Sequence, residues 1–307
     1  MNPFGFDDRP VYVAVAGRSD PGQKRAENQD NFLVADLSRD ALDGGLLLTR
    51  DPQAPPRRCD LTLGPKGVLA LVADGMGGAA AGAIASQMAV AWIYRALLTG
   101  WGADRNNVPQ QFALRLREAV EQTNARIHAE AQANPEYRGM GTTATAAGLL
   151  DGFVYLAQVG DSRAYLVRRG SITQLTRDQS FVQTLIDAGT LTEEEAERSA
   201  QGSMILQALG AKPSVRVDLT YQELRRGDVV LLCSDGLTRT VKRDELADAA
   251  ARIDDPDALC AELIDLANQR GAPDNVTVVA ARVDGPGLDE PMEGDAVGRD
   301  EYVLPEP

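Results

Sequence analysis

Tight turns between short apolar runs are the feature that most constrains the fold of this chain. Leu150-Asp151-Gly152 and Arg169-Gly170-Ser171 each join two runs of strand-forming residues. Turns this short leave no room for a crossover helix, so they predict antiparallel pairing and argue against a doubly wound parallel sheet. The predicted strands are 11–16, 31–37, 68–74, 144–150, 153–160, 162–170, 215–221, 229–235 and 275–283.

Three longer segments have the 3.6-residue apolar period of amphipathic helices. They are residues 79–98, residues 109–132 and the stretch from Pro256 to Gly271, where proline can open the helix and glycine can close it. Because strands and helices occur in blocks, the sequence predicts an α+β domain in which helices cover the outer faces of packed sheets.

Charge and cysteine content narrow the classes of partner and compartment. The net charge of −14 argues against a nucleic-acid binder, which needs a basic surface, and against adhesion to anionic lipid. Three cysteines without CxxC spacing suggest neither a disulfide framework nor a thiolate zinc site. The N-terminus lacks a secretory pattern, and residues 79–98 look too polar for a membrane span. The expectation is a soluble cytoplasmic protein, with no nucleic-acid or membrane partner.

Two segments fit the layered domain less well. Residues 38–66 are long, proline-rich and irregular, and are interpreted as an inserted loop. Residues 284–307 carry eight acidic residues, one basic residue and four prolines, which predicts a disordered acidic tail. The predicted folded domain therefore covers residues 1–283.

Four aspartates lie where the most apolar predicted strands begin or end: Asp74, Asp161, Asp235 and Asp274. If packed sheets bring these strand ends together, several carboxylates converge, and such a cluster needs a cation or raised pKa values. Oxygen ligands without histidine or cysteine select Mg²⁺ or Mn²⁺. Gly75 follows Asp74 directly, and because it has no Cβ its carbonyl could approach an ion closely.

A rival interpretation treats residues 75–80 as a dinucleotide-binding loop, since they fit G-x-G-x-x-A and precede a helix. However, Asp74 would repel a pyrophosphate, and no acid lies about twenty residues further on to bind a ribose. The antiparallel hairpins also disfavour a Rossmann sheet, so the metal interpretation is preferred.

Six motifs, taken in order, carry a family resemblance: RAENQD (25–30), ADGMGGAAAG (73–82), GMGTTAT (139–145), VGDSRAYLVRRG (159–170), LLCSDGL (231–237) and GAPDNVTVV (271–279). Over roughly residues 11–283 the chain resembles the metal-dependent serine/threonine protein phosphatases of the PPM or type 2C family, and most of all its bacterial branch. The resemblance implies a four-layer αββα sandwich of two antiparallel sheets flanked by helices, with a mobile flap near residues 178–216.

The resemblance also implies the ligands of two core metal ions, Mn²⁺ or Mg²⁺, at one edge of the sandwich. Asp74 would bridge the two ions, and the Gly75 carbonyl would bind one of them. Asp235 and Asp274 would hold the other. These ions would activate a bridging water or hydroxide for attack on the phosphorus atom, which requires no protein nucleophile.

Further roles follow from the same resemblance. Asp161 would help to hold a third, weaker ion, whose other ligands would be Asp235 and Ser203. Arg25 would bind the substrate phosphate, since a planar guanidinium donates hydrogen bonds in pairs. Asp30 would not bind an ion directly but would contact water that is bound to the metal. The residues expected to carry catalysis are thus Asp74, Asp235 and Arg25.

The sequence departs from many relatives at two positions near these motifs. Met76 stands where many relatives have a histidine that protonates the leaving group, and Gln29 stands where several have glutamate. The one histidine, His128, has no motif around it and is interpreted as a surface or packing residue. We therefore expect metal-bound water to protonate the leaving serine or threonine, and Gln29 to weaken one metal site.

The sequence thus predicts a monomeric phosphatase acting on phosphoserine and phosphothreonine in proteins that include, or are targets of, a serine/threonine kinase. Three alternatives stay open: a regulatory phosphatase dedicated to one partner, a non-catalytic phosphoprotein-binding module of the same fold, and a phosphoesterase for a small metabolite. Intact clustered acids argue against the binding module, because without catalysis nothing would offset their electrostatic cost.

Overall fold

The computed structural model describes residues 9–39, 45–50, 57–77, 81–104, 108–192, 195 and 204–302. Its strands are β1 Tyr12–Asp20, β2 Asn31–Asp36, β3 Leu46–Thr49, β4 Arg58–Thr62, β5 Val68–Ala73, β6 Gly75–Met76, β7 Gly141–Thr142, β8 Ala144–Leu150, β9 Phe153–Val159, β10 Arg163–Arg168, β11 Ser171–Gln174, β12 Asp218–Glu223, β13 Val229–Cys233, β14 Val276–Asp284 and β15 Asp300–Glu301. Its α-helices are α1 Ala81–Gly100, α2 Pro109–Ala133, α3 Phe181–Asp187, α4 Asp235–Thr238, α5 Arg243–Arg252 and α6 Pro256–Gln269.

Two antiparallel sheets form the centre of the molecule. The six-stranded sheet has the order β11-β10-β13-β14-β1-β4, and the seven-stranded sheet has the order β15-β12-β9-β8-β5-β2-β3. Asp151 and Gly152 turn β8 into β9 with positive φ angles of 51° and 73°, and Arg169 and Gly170 do the same between β10 and β11. Paired positive φ angles are the geometry of tight hairpin turns, so the prediction of antiparallel pairing is confirmed.

Three hydrophobic cores separate four layers. The central core lies between the sheets and includes Val15 of the six-stranded sheet and Val72 of the seven-stranded sheet, both fully buried. A second core packs α1 and α2 on the seven-stranded sheet, and a third packs α5 and α6 on the six-stranded sheet. This is the predicted αββα arrangement, and it leaves the ends of the strands free to build a site.

Helix α1 is long and apolar enough, by length and composition, to cross a membrane. Half of its most apolar stretch is buried inside the fold, where it packs against α2 and the seven-stranded sheet. The sequence-based judgement that residues 79–98 are too polar for a span was therefore too strong. Packing in the second core explains why the helix is so apolar.

The two irregular segments contain more structure than the sequence predicted. Within residues 38–66, β3 and β4 form edges of the two different sheets. Residues 284–302 differ from the predicted disordered tail: β15 pairs with β12, Leu288 is buried, and Arg225 binds Asp295 at 3.1 Å. Arginines that pair with its acids allow this segment to lie along the domain. Residues 303–307 fall outside the described ranges.

Candidate metal centre

The ends of both sheets meet at the predicted edge. Asp30 lies just before β2, and its carboxylate accepts hydrogen bonds from Ser234 and Thr277 of the other sheet, each at 2.7 Å. Asn31 pairs with Ala73, which places Asp30 beside Asp74. Because the two sheets are tied together here, acids from distant parts of the chain share one environment.

Five carboxylates interact at this edge. Asp74 faces the negative charges of the other four, Asp30, Asp235, Asp161 and Asp274. Burial, and next to it these like charges, raises the pKa of Asp74 well above its usual value. The structure therefore brings together all the aspartates that the sequence singled out.

Two threonines fix the backbone of Asp74. The backbone amide of Asp74 donates to the Thr143 hydroxyl at 2.9 Å, and its carbonyl accepts from the Thr142 hydroxyl at 2.9 Å and from the Thr143 amide at 2.8 Å. These hydroxyls are fully buried. Their role is to hold the strand end in place, which fixes the position of the Asp74 carboxylate.

Gly75 sits in a space that no side chain could share. A Cβ at this position would lie 2.2 Å from the Gly82 carbonyl oxygen and 2.6 Å from the Gln29 carbonyl oxygen. Both contacts are with backbone, which cannot rotate away. The absence of a side chain lets the start of α1, the Gln29 segment and β6 pack together beside Asp74.

Replacing Gly75 with alanine should therefore destabilise the domain by about 3 kcal/mol, the upper range for overpacking a filled site. Thermal or denaturant unfolding measures the loss. Gly298 provides the control, because a Cβ there would meet its nearest atom at 3.7 Å. Gly298→Ala should stay within about 0.5 kcal/mol of the wild type. Equal stability of Gly75→Ala and Gly298→Ala would contradict this account of the packing.

Two of the predicted ligands are paired with arginines. Arg25 donates two hydrogen bonds to Asp274, at 2.9 and 2.8 Å, and Arg239 forms an ion pair with Asp235. Burial raises the pKa of Asp235, and the charge of Arg239 opposes that rise. Sequence reasoning found Arg25 but missed Arg239, although four residues after Asp235 on a short helix is a spacing at which side chains meet.

The other two acids are deeply buried. Asp30 is 0% exposed and Asp161 is 4% exposed. Burial is the main cause that raises the pKa of Asp30 to about 7 and that of Asp161 to about 8. Below about pH 7 these carboxyls would hold protons in the metal-free protein, and nearby cations would release them.

The donor set fits divalent ions, although the metal-free side chains do not form a finished cage. Across the described ranges, no three histidine, cysteine or acidic side chains stand in metal-holding positions, and arginines pair with Asp235 and Asp274. Yet one buried oxygen each of Asp30, Asp161 and Asp235 has no hydrogen-bond partner among the described residues. Unpartnered hard oxygens are what Mn²⁺ and Mg²⁺ bind. The predicted ligand Ser203 lies outside the described residues.

Asn275 positions the segment that carries Arg25, and sequence reasoning missed it. Its side-chain amide donates to the carbonyls of Pro21 and Glu27, each at 3.0 Å, and accepts from the Gln29 amide at 2.8 Å. These three bonds span the loop that bears Arg25 and tie it to the residue next to Asp274. The partners are about 250 positions apart in sequence, so no local pattern indicates the contact.

The predicted flap begins beside Asp161. Arg163 pairs with Asp178 at 2.7 Å, and Gln179 accepts a hydrogen bond from the Gly160 amide at 2.9 Å. The far end returns to the same place, where Leu206 donates to the Gln179 carbonyl at 2.8 Å. Residues 193, 194 and 196–203 lie outside the description, so mobility of the flap stays a prediction.

Three other side chains near the motifs have no direct part in the proposed metal chemistry. Cys233 is 1% exposed, and burial raises the pKa of its thiol to about 12, as befits a strand residue rather than a nucleophile. His128 contacts the Gly210 carbonyl at 2.9 Å as a packing residue. Met76 lies on β6 with 38% of its surface exposed, and its thioether has no proton to give a leaving group.

The chain is similar to known proteins of one family. A family model described as Protein phosphatase 2C matches residues 58–275. The chain belongs to the protein phosphatase 2C family. This membership confirms the resemblance seen in the six motifs, and the protein phosphatase 2C fold agrees with the four layers described above.

Named relatives and solved structures support the assignment. Serine/threonine protein phosphatase PstP of Mycobacterium tuberculosis is 41% identical over 273 residues, which cover 89% of this chain and 45% of PstP. The chain thus spans about half the length of that relative. Serine/threonine phosphatase Stp of Listeria welshimeri is 33% identical over 263 residues, covering 85% of this chain and 92% of Stp.

Two solved structures of this family superpose closely. The catalytic domain of PstP, in complex with two manganese ions, has a TM-score of 0.68 and 35% identity, covering 89% of this chain and 99% of that one. The serine/threonine phosphatase of S. agalactiae has a TM-score of 0.73 and 31% identity, covering 88% and 98%. A relative of the same fold therefore binds two manganese ions.

Proposed function

We propose that this chain is a protein phosphatase that hydrolyses phosphoserine and phosphothreonine with the help of Mn²⁺ or Mg²⁺. The observation that carries the proposal is the convergence of Asp30, Asp74, Asp161, Asp235 and Asp274 at one edge of the two sheets, beside Arg25. Buried carboxylates in such number need cations, and a cluster of hard oxygens beside a guanidinium suits phosphate chemistry.

Each site residue has a role that its position supports. Asp74 and the Gly75 carbonyl, together with Asp235 and Asp274, would hold two divalent ions. When bound, these ions supply an activated water and stabilise charge on the phosphoryl oxygens. Asp30 holds Ser234 and Thr277 at 2.7 Å, and so fixes the strand end that leads to Asp235.

Arg25 would bind the phosphate of the substrate. Its side chain is 57% exposed and reaches Asp274 with both prongs of its guanidinium. If Asp274 bound a divalent ion instead, the two hydrogen bonds of the Arg25 guanidinium would be available for phosphate oxygens at the rim of the site. Its hydrogen bonds with Asp274 and the charges of Asp274, Asp74 and Asp235 raise its pKa, so the group stays charged at any working pH.

Replacing Arg25 with alanine should raise KM for a phosphopeptide about 10- to 100-fold, the equivalent of losing a hydrogen bond to a charged group, with a smaller change in kcat. Steady-state kinetics measures both parameters. Arg18 is the matched control, since it makes an equivalent two-pronged pair with Asp257 at 2.6 Å. Arg18→Ala should have the same KM for the phosphopeptide as the wild type. If Arg25→Ala changed manganese affinity but not KM, the role of Arg25 would be to position Asp274 and not to bind the substrate phosphate.

Hydrolysis of a phosphothreonine peptide tests the proposed function directly. The protein should release phosphate when Mn²⁺ or Mg²⁺ is present, stop when a chelator is added, and resume when the ion is restored. Binding without turnover would identify a phosphoprotein-binding module. Turnover of one metabolite phosphate with no reaction on phosphopeptides would identify a small-molecule phosphoesterase, and reaction with a single peptide from a broad panel would identify a dedicated regulator.

The physiological setting is part of the same proposal. We place the protein in the cytoplasm as a monomer, acting on phosphoproteins that include, or are targets of, a serine/threonine kinase. Its cysteines Cys59, Cys233 and Cys260 are free, which suits a reducing compartment. The strongly acidic charge of the chain supports protein partners over nucleic acid.

A further inference from the structure

Arg239 occupies one side of the candidate metal centre, and the proposed function gives it no role. It follows the last residue of α4, and its backbone amide donates to the Asp235 carbonyl at 2.9 Å. This turn directs its guanidinium back to the Asp235 carboxylate, with which it forms an ion pair. About two thirds of its side chain is buried, since 36% is exposed.

The guanidinium of Arg239 faces more than one acid. Its charge acts on Asp161 as well as Asp235, and it also interacts with Asp274. Asp161 and Asp235 are 4% and 9% exposed, and each keeps one buried oxygen without a hydrogen-bond partner in the described part of the chain. The space between these two carboxylates is where the family resemblance implies a third, weaker metal ion.

We propose that the Arg239 guanidinium takes the place of a third metal ion in this protein, so that the Asp161–Asp235 side of the centre is neutralised by a residue of the chain itself. This inference rests on the proposed function, because it presupposes the two core ions. Arg239 is then a positioning residue: it pairs with Asp235, which would also be a ligand of a core ion.

The balance of charge supports this assignment. The five clustered carboxylates carry at most five negative charges. Two divalent ions and the guanidinium groups of Arg25 and Arg239 carry six positive charges, so even with a hydroxide between the ions the loaded centre has no net negative charge. No uncompensated negative charge then remains to attract a third divalent ion.

A neighbouring arginine could not fill the role. Arg163 also acts on Asp161, but it gives three hydrogen bonds to Asp178, from 2.7 to 3.0 Å. The Arg163 guanidinium is therefore bound to Asp178, at the start of the predicted flap. Arg239 has its ion pair with Asp235 itself, which places its charge inside the carboxylate cluster.

Counting bound manganese tests the inference. We expect wild-type protein, titrated with Mn²⁺ while electron paramagnetic resonance reports the free ion, to bind two ions per chain up to millimolar concentration. Arg239→Gln should bind a third ion at least about tenfold more tightly than wild type. Asp161→Asn added to that variant should abolish the third ion, and Arg239→Lys, which keeps the charge, should stay at two.

Arg270 provides the matched control. Its side chain is 37% exposed, pairs with Glu245 and donates to the Thr240 carbonyl at 2.7 Å, but interacts with none of the five clustered carboxylates, so Arg270→Gln should bind two ions. Three ions on the wild type, or two on a folded Arg239→Gln, would overturn the inference while leaving the proposed function intact. Should Arg239→Gln fail to fold, wild type against Asp161→Asn decides: both should bind two ions, and loss of an ion in Asp161→Asn would overturn it. No bound manganese on wild type would contradict the proposed function itself.

Discussion

Asp235→Asn will lower kcat for a phosphothreonine peptide roughly a thousandfold, because a metal-holding carboxylate is replaced by an amide of the same size. The carboxylate is 9% exposed, faces Asp74 and is paired with Arg239. Losing its charge removes a ligand of the core ions, and charge stabilisation by such ions amounts to several kcal/mol in the transition state. Several kcal/mol corresponds to about three powers of ten in rate.

Asp257→Asn is the control for that experiment. Asp257 lies on α6, outside the cluster, and pairs with Arg18 at 2.6 Å. Its substitution therefore also breaks an ion pair with an arginine, but not at the candidate metal centre. Its kcat should stay within about twofold of the wild type. Both variants should be compared after unfolding curves show that they are folded. Wild-type activity in a folded Asp235→Asn would contradict the assignment of Asp235 as a ligand.

Manganese will stabilise the folded chain, and the gain will be larger at pH 8 than at pH 5. Asp30 and Asp161 have folded-state pKa values of about 7 and about 8 in the absence of metal, against 3.8 for an unperturbed aspartate. A raised folded-state pKa contributes stability below the unfolded-state value, and this contribution is lost as pH rises through the folded-state value. Metal-free protein should therefore lose stability between about pH 4 and pH 8.

Bound divalent ions reverse that loss, because they stabilise the ionised carboxylates. An ion present at a hundred times its dissociation constant adds about 2.7 kcal/mol to the free energy of unfolding. Thermal unfolding in Mn²⁺ and in chelator, at both pH values, measures the difference. Asp257→Asn should keep the manganese-dependent shift and Asp235→Asn should lose most of it. A shift that is equal at the two pH values would contradict the electrostatic account.

The strands of the sandwich could be predicted because their signals are local. The Asp151-Gly152 turn and the continuous apolar run of β5 indicate pairing without reference to the rest of the chain. Short edge strands such as β3 and β15 were missed, since their hydrogen bonds are made with a neighbour that the local sequence does not reveal. The acidic tail was misjudged for the same reason: Arg225, which pairs with Asp295, lies 70 positions earlier.

In the candidate site, too, some features have a local sequence signal and others depend on residues far apart in the chain. Aspartates at the beginnings or ends of apolar strands form a pattern readable in a few residues, and all of them came together in the structure. The side chains that position them did not form such a pattern: Ser234 and Thr277 contact Asp30 from 204 and 247 positions away. Arg239 is the exception, because its position one helical turn after Asp235 could have indicated the ion pair.

The central claim is that carboxylates remote in sequence are tolerated together at one strand edge because divalent ions neutralise them. Anomalous diffraction from crystals grown in manganese tests this most directly. The account predicts two strong peaks among Asp74, Asp235 and Asp274, with the Arg25 guanidinium turned away from Asp274. Crystals that diffract well yet show no anomalous peak there, with both arginine pairs intact, would contradict it.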